Sequence, residues 1–283
     1  MAAAGLINIK RRIKSVESTR KITKAMGLVA TSKLRKSRKE LSSSEEHYKL
    51  CEDIVDDLMG VLPEEYESPY LKSNCKTSDK LYIVMTSDTG LCGGFNGNIA
   101  SYLNTAIKSK VIAKITVVGS KGISYMNRYG FDIVGNYVEI PDIPTIREIK
   151  AIYQDALYMF KKGDVSEVNI VYTKFISPMK QEIKIEKLLP ITRGKGKSGD
   201  FLIEPSIDEV LNSSLDVYFK SKLRRAMLNS KASEQSNRMT AMNGATKNAD
   251  DILKALKLKY NRIRQGAITQ EISEIVGGAA AQK

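Results

Sequence analysis

The placement of proline is the strongest constraint on how this chain folds. All seven prolines lie between Pro63 and Pro205, so residues 1–62 and 206–283 contain none. Proline removes a helical hydrogen bond and clashes with the preceding turn. Two long proline-free ends around a proline-containing centre therefore predict two long helices flanking a compact domain.

Apolar periodicity supports helices at both ends. Alternating steps of four and three residues from Ile9 to Leu62 reach sixteen positions, of which eleven are apolar. The same stepping from Ile207 runs to Ala267 with polar interruptions at Ser214, Ser221, Arg225, Gln235 and Thr246. A repeat of about 3.5 residues predicts helices that wind around each other. Since each seam needs a partner and one domain joins the two helices, they are expected to run antiparallel.

The middle of the chain changes to a β/α alternation. Strands are predicted at 80–87, 113–119, 132–140, 167–175 and 180–189, with helices at 98–110, 120–130 and 144–161 between them. This order predicts a mostly parallel sheet with helices on its faces, and an antiparallel hairpin formed by the last two strands at one edge. A glycine- and lysine-rich loop over 193–205 leads into the final helix.

These patterns predict an α/β fold class with three segments. Residues 1–62 form an N-terminal coiled-coil helix and residues 75–195 a central Rossmann-like α/β domain. Residues 207–283 form a C-terminal coiled-coil helix with a single-helix tip. Arms leaving the domain near residues 60 and 207 have about 56 and 77 residues, so the C-terminal helix is expected to outrun its partner by roughly 20 residues, about 30 Å.

The predicted overhang is unusually poor in charge. Between Arg264 and Lys283 the only charged residues are Glu271 and Glu274, although the chain carries a formal net charge of +13. A lone apolar helix in water is marginally stable. The segment is therefore interpreted as a shaft tip enclosed by other chains; a frayed, alanine-rich terminus is the alternative.

Four motifs identify the chain as similar to a known family. KITKAMGLVATSKL (21–34), TSDTGLCGGFN (86–96), NRMTAMNGATKNADD (237–251) and RQGAITQEISEIVGGAAA (264–281) resemble the γ subunits of F-type ATP synthases. Their order and spacing match along essentially the whole chain. Gly27 and Gly244 depart from the larger residues usual in that family, and each places a helix-weakening residue in the shaft.

The resemblance implies a central rotary stalk without catalytic residues, metal or cofactor of its own. In that family the coiled coil stands inside an α3β3 hexamer, and the α/β domain forms a foot with the ε subunit on the c-ring of Fo. Ion flow turns ring and stalk, and the stalk drives the β subunits, where ATP is made or hydrolysed. ATP chemistry therefore takes place outside this chain.

The resemblance also assigns contact residues. Those for β-subunit loops at the tip and catch are Arg264, Gln265, Thr269, Glu271, Ile275 and Val276. Residues 10–39 hold twelve Lys or Arg and one acid, Glu17, and this basic collar is expected to meet an acidic lever of β through Lys10, Arg11, Lys21, Lys24, Met26, Arg35 and Lys36. Met26 and Arg238 are expected to couple the two helices. A solvated basic face is the alternative for the collar.

Other functional classes fit the sequence less well. A nucleic-acid binder with a basic coiled-coil arm is compatible with the charge, but the basic residues are not interleaved with aromatics and tryptophan is absent. The loop GLCGGFNG and the tripeptide at 196–198 match neither phosphate-binding fingerprint. Three scattered cysteines and one histidine offer no metal-ligand spacing.

Compartment is inferred from what the sequence does not contain. No run of about 18 apolar residues is present, so no membrane-spanning helix is predicted. The start, MAAAGLINIKRRIKSVE, lacks the pattern of a secretory signal. Together with the resemblance, this predicts a peripheral protein on the cytoplasmic side of a bacterial plasma membrane.

Overall fold

The computed structural model describes the chain except residues 1, 64, 67, 73–76, 193–202 and 282–283. The helices are α1 (Ala2–Val61), α2 (Phe95–Ala106), α3 (Ser120–Arg128), α4 (Ile146–Lys162) and α5 (Ile207–Ala281), with a 3-10 turn at Lys110–Ile112. The strands are β1 (Lys80–Met85), β2 (Ala113–Val118), β3 (Asp132–Tyr137), β4 (Glu167–Phe175) and β5 (Gln181–Leu189). Most of the predicted 193–205 loop, and Cys75, lie outside the described residues.

The residues group into two compact units. The first unit comprises Met1–Ala30 with Met239–Lys283, and the second comprises Thr31–Arg238. Each contains part of α1 and part of α5, and the two helices run antiparallel in both. In the second unit, for example, the rings of Tyr48 and Tyr218 stack with centroids 5.7 Å apart.

The second unit contains a five-stranded sheet in the order β3-β2-β1-β4-β5. The pairs β3–β2, β2–β1 and β1–β4 are parallel, and β5 pairs antiparallel with β4 at the edge. Register places Ile83 opposite both Thr116 and Ile170. The predicted fold class, including the edge hairpin, is confirmed.

Some helix and strand boundaries differ from the predicted ones. α2 begins at Phe95 rather than at 98, because the chain turns at Gly93 (φ 58°) and enters the helix directly after Gly94. β3 ends at Tyr137 rather than at 140. Two residues later Glu139 has a positive φ of 59°, and its N–H donates to Asp88, which takes the chain out of the sheet.

Apolar side chains fill both faces of the sheet. On one face α4, α5 and the end of α1 pack around Phe219, Tyr153 and Phe160. On the other face α2 and α3 pack through Leu103 and Met126. Burial of this apolar area is the main favourable term in holding the helices to the sheet.

A glycine sets the distance between α3 and the sheet. A Cβ on Gly122 would lie 2.4 Å from Thr86 Oγ1 and 2.8 Å from a methyl of Val117. Only glycine permits this close approach of helix to strand. On the opposite face, α4 begins with a capping box between Thr145 and Glu148 and ends at Gly163 in the left-handed region.

Candidate functional site

In the first unit, polar side chains link α1 to α5. Thr246 Oγ1 lies 2.9 Å from Thr23 Oγ1, and Arg20 forms an ion pair with Asp250. Continuing this register, Ala2 lies level with Ala267 or Ile268. α5 therefore extends past the start of α1 within this unit.

The described helices differ in length by less than the predicted overhang of roughly 20 residues. α5 has 75 residues and α1 has 60, so α5 is 15 residues longer rather than about 20. The difference is 15 because α1 has 60 residues rather than about 56 and the described part of α5 has 75 rather than 77. Ile263 and Ala267 are accordingly half-buried.

The predicted tip residues lie on the last turns of α5 and face solvent. Arg264, Gln265 and Thr269 are exposed, and Ile275 and Val276 are 72% and 63% exposed. In the described part of this segment the side-chain hydrogen bonds stay within the helix, as from Thr269 Oγ1 to the carbonyl of Gln265 at 2.9 Å. Glu271 lies on the same helix, and its side chain is outside the described part.

The predicted basic collar is split between exposed and paired cations. The side chains of all six proposed basic contacts are exposed: Lys10, Arg11, Lys21, Lys24, Arg35 and Lys36. Among the described residues none of them forms an ion pair, whereas Arg20 and Lys33 of the same stretch pair with Asp250 and Asp142. The collar therefore presents positive charge available to an external partner.

The two glycines that depart from the family pattern differ in their surroundings. Gly27 is buried, and a Cβ there would lie 3.0 Å from Asn243 Oδ1 and 3.6 Å from Met242 Cβ. Its absence of a side chain lets the helices approach closely. A Cβ on Gly244 would meet nothing within 4 Å. Close packing of the helices explains why glycine stands at Gly27, whereas nothing in the structure explains glycine at Gly244.

In the second unit α5 passes through a polar socket. All twelve residues of 225–236 are buried, so the helix is covered on every side. Ser233 Oγ donates to the carbonyl of Thr173 at 3.1 Å, and Asn229 Oδ1 accepts from the N–H of Phe175 at 3.0 Å. Burial of these polar groups is tolerated because they find partners.

Arg225 occupies one wall of this socket. Its guanidinium lies 4.0 Å from the centroid of the Tyr48 ring and pairs with Glu45 and Glu186. Burial, with a hydrogen bond donated to Glu52, raises the pKa of Tyr48 well above its ordinary value, so the phenol stays neutral.

Arg238 and Met26 have different environments. Arg238 belongs to the second unit, where its guanidinium donates to Thr89 Oγ1 at 2.8 Å and to Glu234 Oε1 at 2.8 Å. Met26 belongs to the first unit and is half-buried. Their role in coupling the two helices stays a prediction.

Two backbone carbonyls of the glycine loop after β1 are engaged by the chain itself. A phosphate site presents backbone N–H groups. Here the carbonyls of Thr89 and Gly90 accept hydrogen bonds from Arg238 at 3.0 and 3.2 Å. Within the described residues there is also no group of three or more His, Cys, Asp or Glu placed to hold a metal ion.

Sequence reasoning missed the charged residues of the socket. Lys231, Glu234 and Asp88 were not among the predicted contacts, although all three lie inside the second unit. A signal was present: polar residues such as Arg225 and Gln235 fall where the heptad seam requires apolar ones. A charged residue at such a position indicates a buried polar partner elsewhere in the chain.

Within the described part of the chain no helix is long and apolar enough to cross a membrane. The chain combines paired long helices, an α/β domain that packs around one of them and an exposed apolar helix end, features typical of a subunit of a larger assembly. Comparison with known proteins agrees. The profile of the ATP synthase family matches residues 5–282, and the chain belongs to this family.

Two relatives indicate which type of ATP synthase subunit the chain resembles. The chain is 56% identical to an ATP synthase gamma chain of Clostridium botulinum and 58% identical to one of Clostridium beijerinckii, each covering all of both chains. These full-length similarities confirm the resemblance and the non-catalytic assignment. They do not support the nucleic-acid-binding alternative.

Solved structures share the fold. A chain in the central stalk and c-ring of the Tetrahymena thermophila mitochondrial ATP synthase is 25% identical, with a TM-score of 0.59 over 79% of this chain and 99% of that one. A Euglena gracilis mitochondrial ATP synthase chain reaches a TM-score of 0.70 at 18% identity, covering 99% of this chain and 95% of that one. The latter likeness concerns the fold alone.

Proposed function

We propose that this chain is the central rotary stalk of a bacterial F1Fo ATP synthase. It stands inside an α3β3 hexamer, rests with the ε subunit on the c-ring, and lies peripheral to the cytoplasmic face of the plasma membrane. The observation that carries this proposal is the helix end beyond Ala267. Its described side chains are exposed, and the segment is nearly free of charge in a chain with net charge +13.

The apolar surface of the tip fits a helix end that rotates against surrounding subunits. Apolar contacts are non-directional, so a shaft end carrying Ile268, Ile272, Ile275 and Val276 on its surface has few fixed hydrogen bonds to break as it turns. Arg264, Gln265, Thr269 and Glu271 supply directional groups close to it. These residues mark particular angles by bonding to loops of β.

The shaft can act differently on each of the three β subunits because it lacks threefold symmetry. Two helices that continue as one present a different side to each of three surrounding β subunits. Rotation changes nucleotide affinity at a β site only as far as the shaft contacts its open and closed states unequally. The exposed cations of the collar, with Met26, provide such contacts to an acidic segment of β.

Truncation after Arg262 tests the proposal in a complex reconstituted with the α, β and ε subunits of the source organism. We expect weaker torque and a less stable complex, because the enclosed helix end is lost while the α/β domain keeps every described contact. Torque is measured by single-molecule rotation under viscous load, and stability by subunit loss on dilution.

A chain ending at Gly278 is the matched control, since it keeps the four exposed apolar residues of the tip. The proposal predicts near-parental torque for this control. Unchanged torque and unchanged complex stability in the longer truncation contradict the proposed role of the tip.

A further inference from the structure

Four charged side chains form a buried cluster where α5 crosses the carboxyl ends of the parallel strands. Lys231 and Arg238 carry positive charge, and Asp88 and Glu234 carry negative charge. Their side chains are only 5% to 19% exposed. Glu234 accepts from Arg238 at 2.8 Å and lies 3.8 Å from Lys231 Nζ, which is itself 3.8 Å from Asp88. The four charges balance.

Asp88 joins three strand ends to this cluster. It follows β1, and its Oδ1 accepts the N–H of Ser120 at 3.0 Å and the N–H of Glu139 at 3.1 Å. Ser120 follows β2 and Glu139 follows β3. One carboxylate thus fixes the loops of three neighbouring strands and faces Lys231 on α5.

The two cations extend the cluster to backbone carbonyls. Lys231 Nζ donates to the carbonyl of Ile140 at 3.2 Å. Arg238 donates to the carbonyls of Thr89 and Gly90 and to Thr89 Oγ1, at 2.8 to 3.3 Å. The planar guanidinium fork makes these bonds directional, so they depend on the orientation of the helix.

The cluster lies in the crevice where doubly wound sheets bind ligands. The strand order reverses between β1 and β4, and the carboxyl edge beside such a switch point is the usual ligand site of the fold. Here α5 occupies that edge, with Arg238 on the loop after β1 and Ser233 on the carbonyl of Thr173 in β4. α5 of the chain itself therefore fills the crevice in which other proteins of this fold bind a ligand.

Directional contacts of this kind resist rotation of a helix in its socket. Apolar packing holds a helix against a sheet, but the hydrophobic contribution itself has little angular preference. Hydrogen bonds to charged groups are directional, and a buried charge that loses its partner is strongly unfavourable. Lys231, Glu234 and Arg238 lie on α5 and turn together, so turning α5 separates Lys231 from Asp88 and Arg238 from the loop after β1.

We propose that Asp88, Lys231, Glu234 and Arg238 are positioning residues that fix the angle of α5 in the α/β domain. Torque applied at the domain then reaches α5 without the helix turning in its socket. This inference rests on the proposed stalk function. It assigns torsional stiffness to a specific buried ion cluster rather than to the coiled coil as a whole.

The test measures torsional stiffness in the assembled complex with α, β and ε. A bead is attached through Val111→Cys, at a residue 92% exposed, in a Cys75→Ser background. The β sites are stalled with a non-hydrolysable ATP analogue, and the angular fluctuation of the bead is recorded. ATP hydrolysis is measured on the same complexes without the analogue.

Three variants are compared with the parent. Glu234→Gln removes the charge shared by Lys231 and Arg238. Arg238→Lys keeps the charge and loses the fork to Thr89 and Gly90. Glu40→Gln is the matched control, since Glu40 pairs with Arg224 at 3.1 Å in a partly exposed contact between α1 and α5.

We expect the greatest loss of stiffness for Arg238→Lys, which weakens the bonds from α5 to the loop after β1. A smaller loss is expected for Glu234→Gln, whose partners lie on α5 itself, and parental stiffness for Glu40→Gln, with ATP hydrolysis retained in all. Equal stiffness in all four complexes overturns the inference. If Glu234→Gln does not assemble, Arg238→Lys decides, and stiffness equal to that of the control again overturns it. Failure of the parent chain to assemble with α and β contradicts the stalk function instead.

Discussion

Two segments of the same helix invert the usual relation between polarity and burial. In 225–238 ten of fourteen residues are polar or charged, yet 225–236 is buried throughout. In 264–278 isoleucine, valine, alanine and glycine are frequent, and the described side chains are exposed except the half-buried Ala267. Burial along α5 thus follows the position of a partner, not the hydrophobicity of the segment.

The difference indicates where each partner is. The polar segment meets matched polar groups of its own chain, among them Thr173, Phe175 and Asp88. The apolar tip has no such partner in the described chain. A large exposed apolar surface marks an interaction site, so the composition of the tip is suited to neighbours in an assembly.

The largest expected effect comes from adjacent arginines in the polar segment. Arg225 has a side chain 9% exposed and pairs with Glu45 and Glu186, whereas Arg224 is 32% exposed and pairs with Glu40. Arg225→Ala is expected to lower the free energy of unfolding by about 3 kcal/mol, because two partly buried carboxylates lose their partner. Arg224→Ala is expected to cost about 0–1 kcal/mol.

Denaturant unfolding of the full chain, followed by a spectroscopic signal of the α/β domain, measures both. Similar losses for the two variants contradict the view that burial, rather than ion pairing as such, makes this segment sensitive.

A smaller effect separates the two shaft glycines. Gly244→Ala is expected to stabilise the paired helices by about 1 kcal/mol, because alanine has the higher helix propensity and a Cβ meets nothing within 4 Å. Gly27→Ala gains the same propensity, but its Cβ lies 3.0 Å from Asn243 Oδ1 and requires that side chain to move. Its net gain is expected to be smaller.

Thermal unfolding of the coiled-coil signal by circular dichroism compares the two variants. A gain for Gly27→Ala equal to that for Gly244→Ala shows that the helices do not need the close approach at Gly27.

The smallest effect on stability is expected at the tip. Ile275→Ser changes a side chain that is 72% exposed in the isolated chain, so the free energy of unfolding should change by less than about 0.5 kcal/mol. In the complex with α and β the same change should raise the rate of subunit dissociation, because an apolar contact is lost. A clear destabilisation of the isolated chain instead places the tip among intrachain contacts.

Much of the architecture was accessible from local pattern. Proline-free ends gave two helices, observed at Ala2–Val61 and Ile207–Ala281, and the β/α alternation gave five strands with an edge hairpin. The predicted boundaries were less accurate next to turns. α2 begins earlier than predicted, after the turn at Gly93, and β3 ends sooner, before the turn at Glu139. The turn at Glu139 depends on a hydrogen bond to Asp88, 51 residues away in the sequence.

Composition also predicted some general features of the candidate site. The low charge of the tip and the density of cations in residues 10–39 are properties of composition, whereas the individual contact residues came from the family resemblance and their role stays a prediction. The buried cluster was not predicted. Arg238 and Thr89 are 149 residues apart, and their contact exists only once the strands have placed the loop after β1 beside α5.

Sequence by itself therefore determined which segments are helical, which alternate with strands and which lack charge, because these depend on periodicity and residue type within a few turns. Tertiary structure alone decided that Asp88, Lys231, Glu234 and Arg238 meet. Opposite charges remain stably buried only when several chain segments remove water and supply partners together, and no local pattern encodes that meeting.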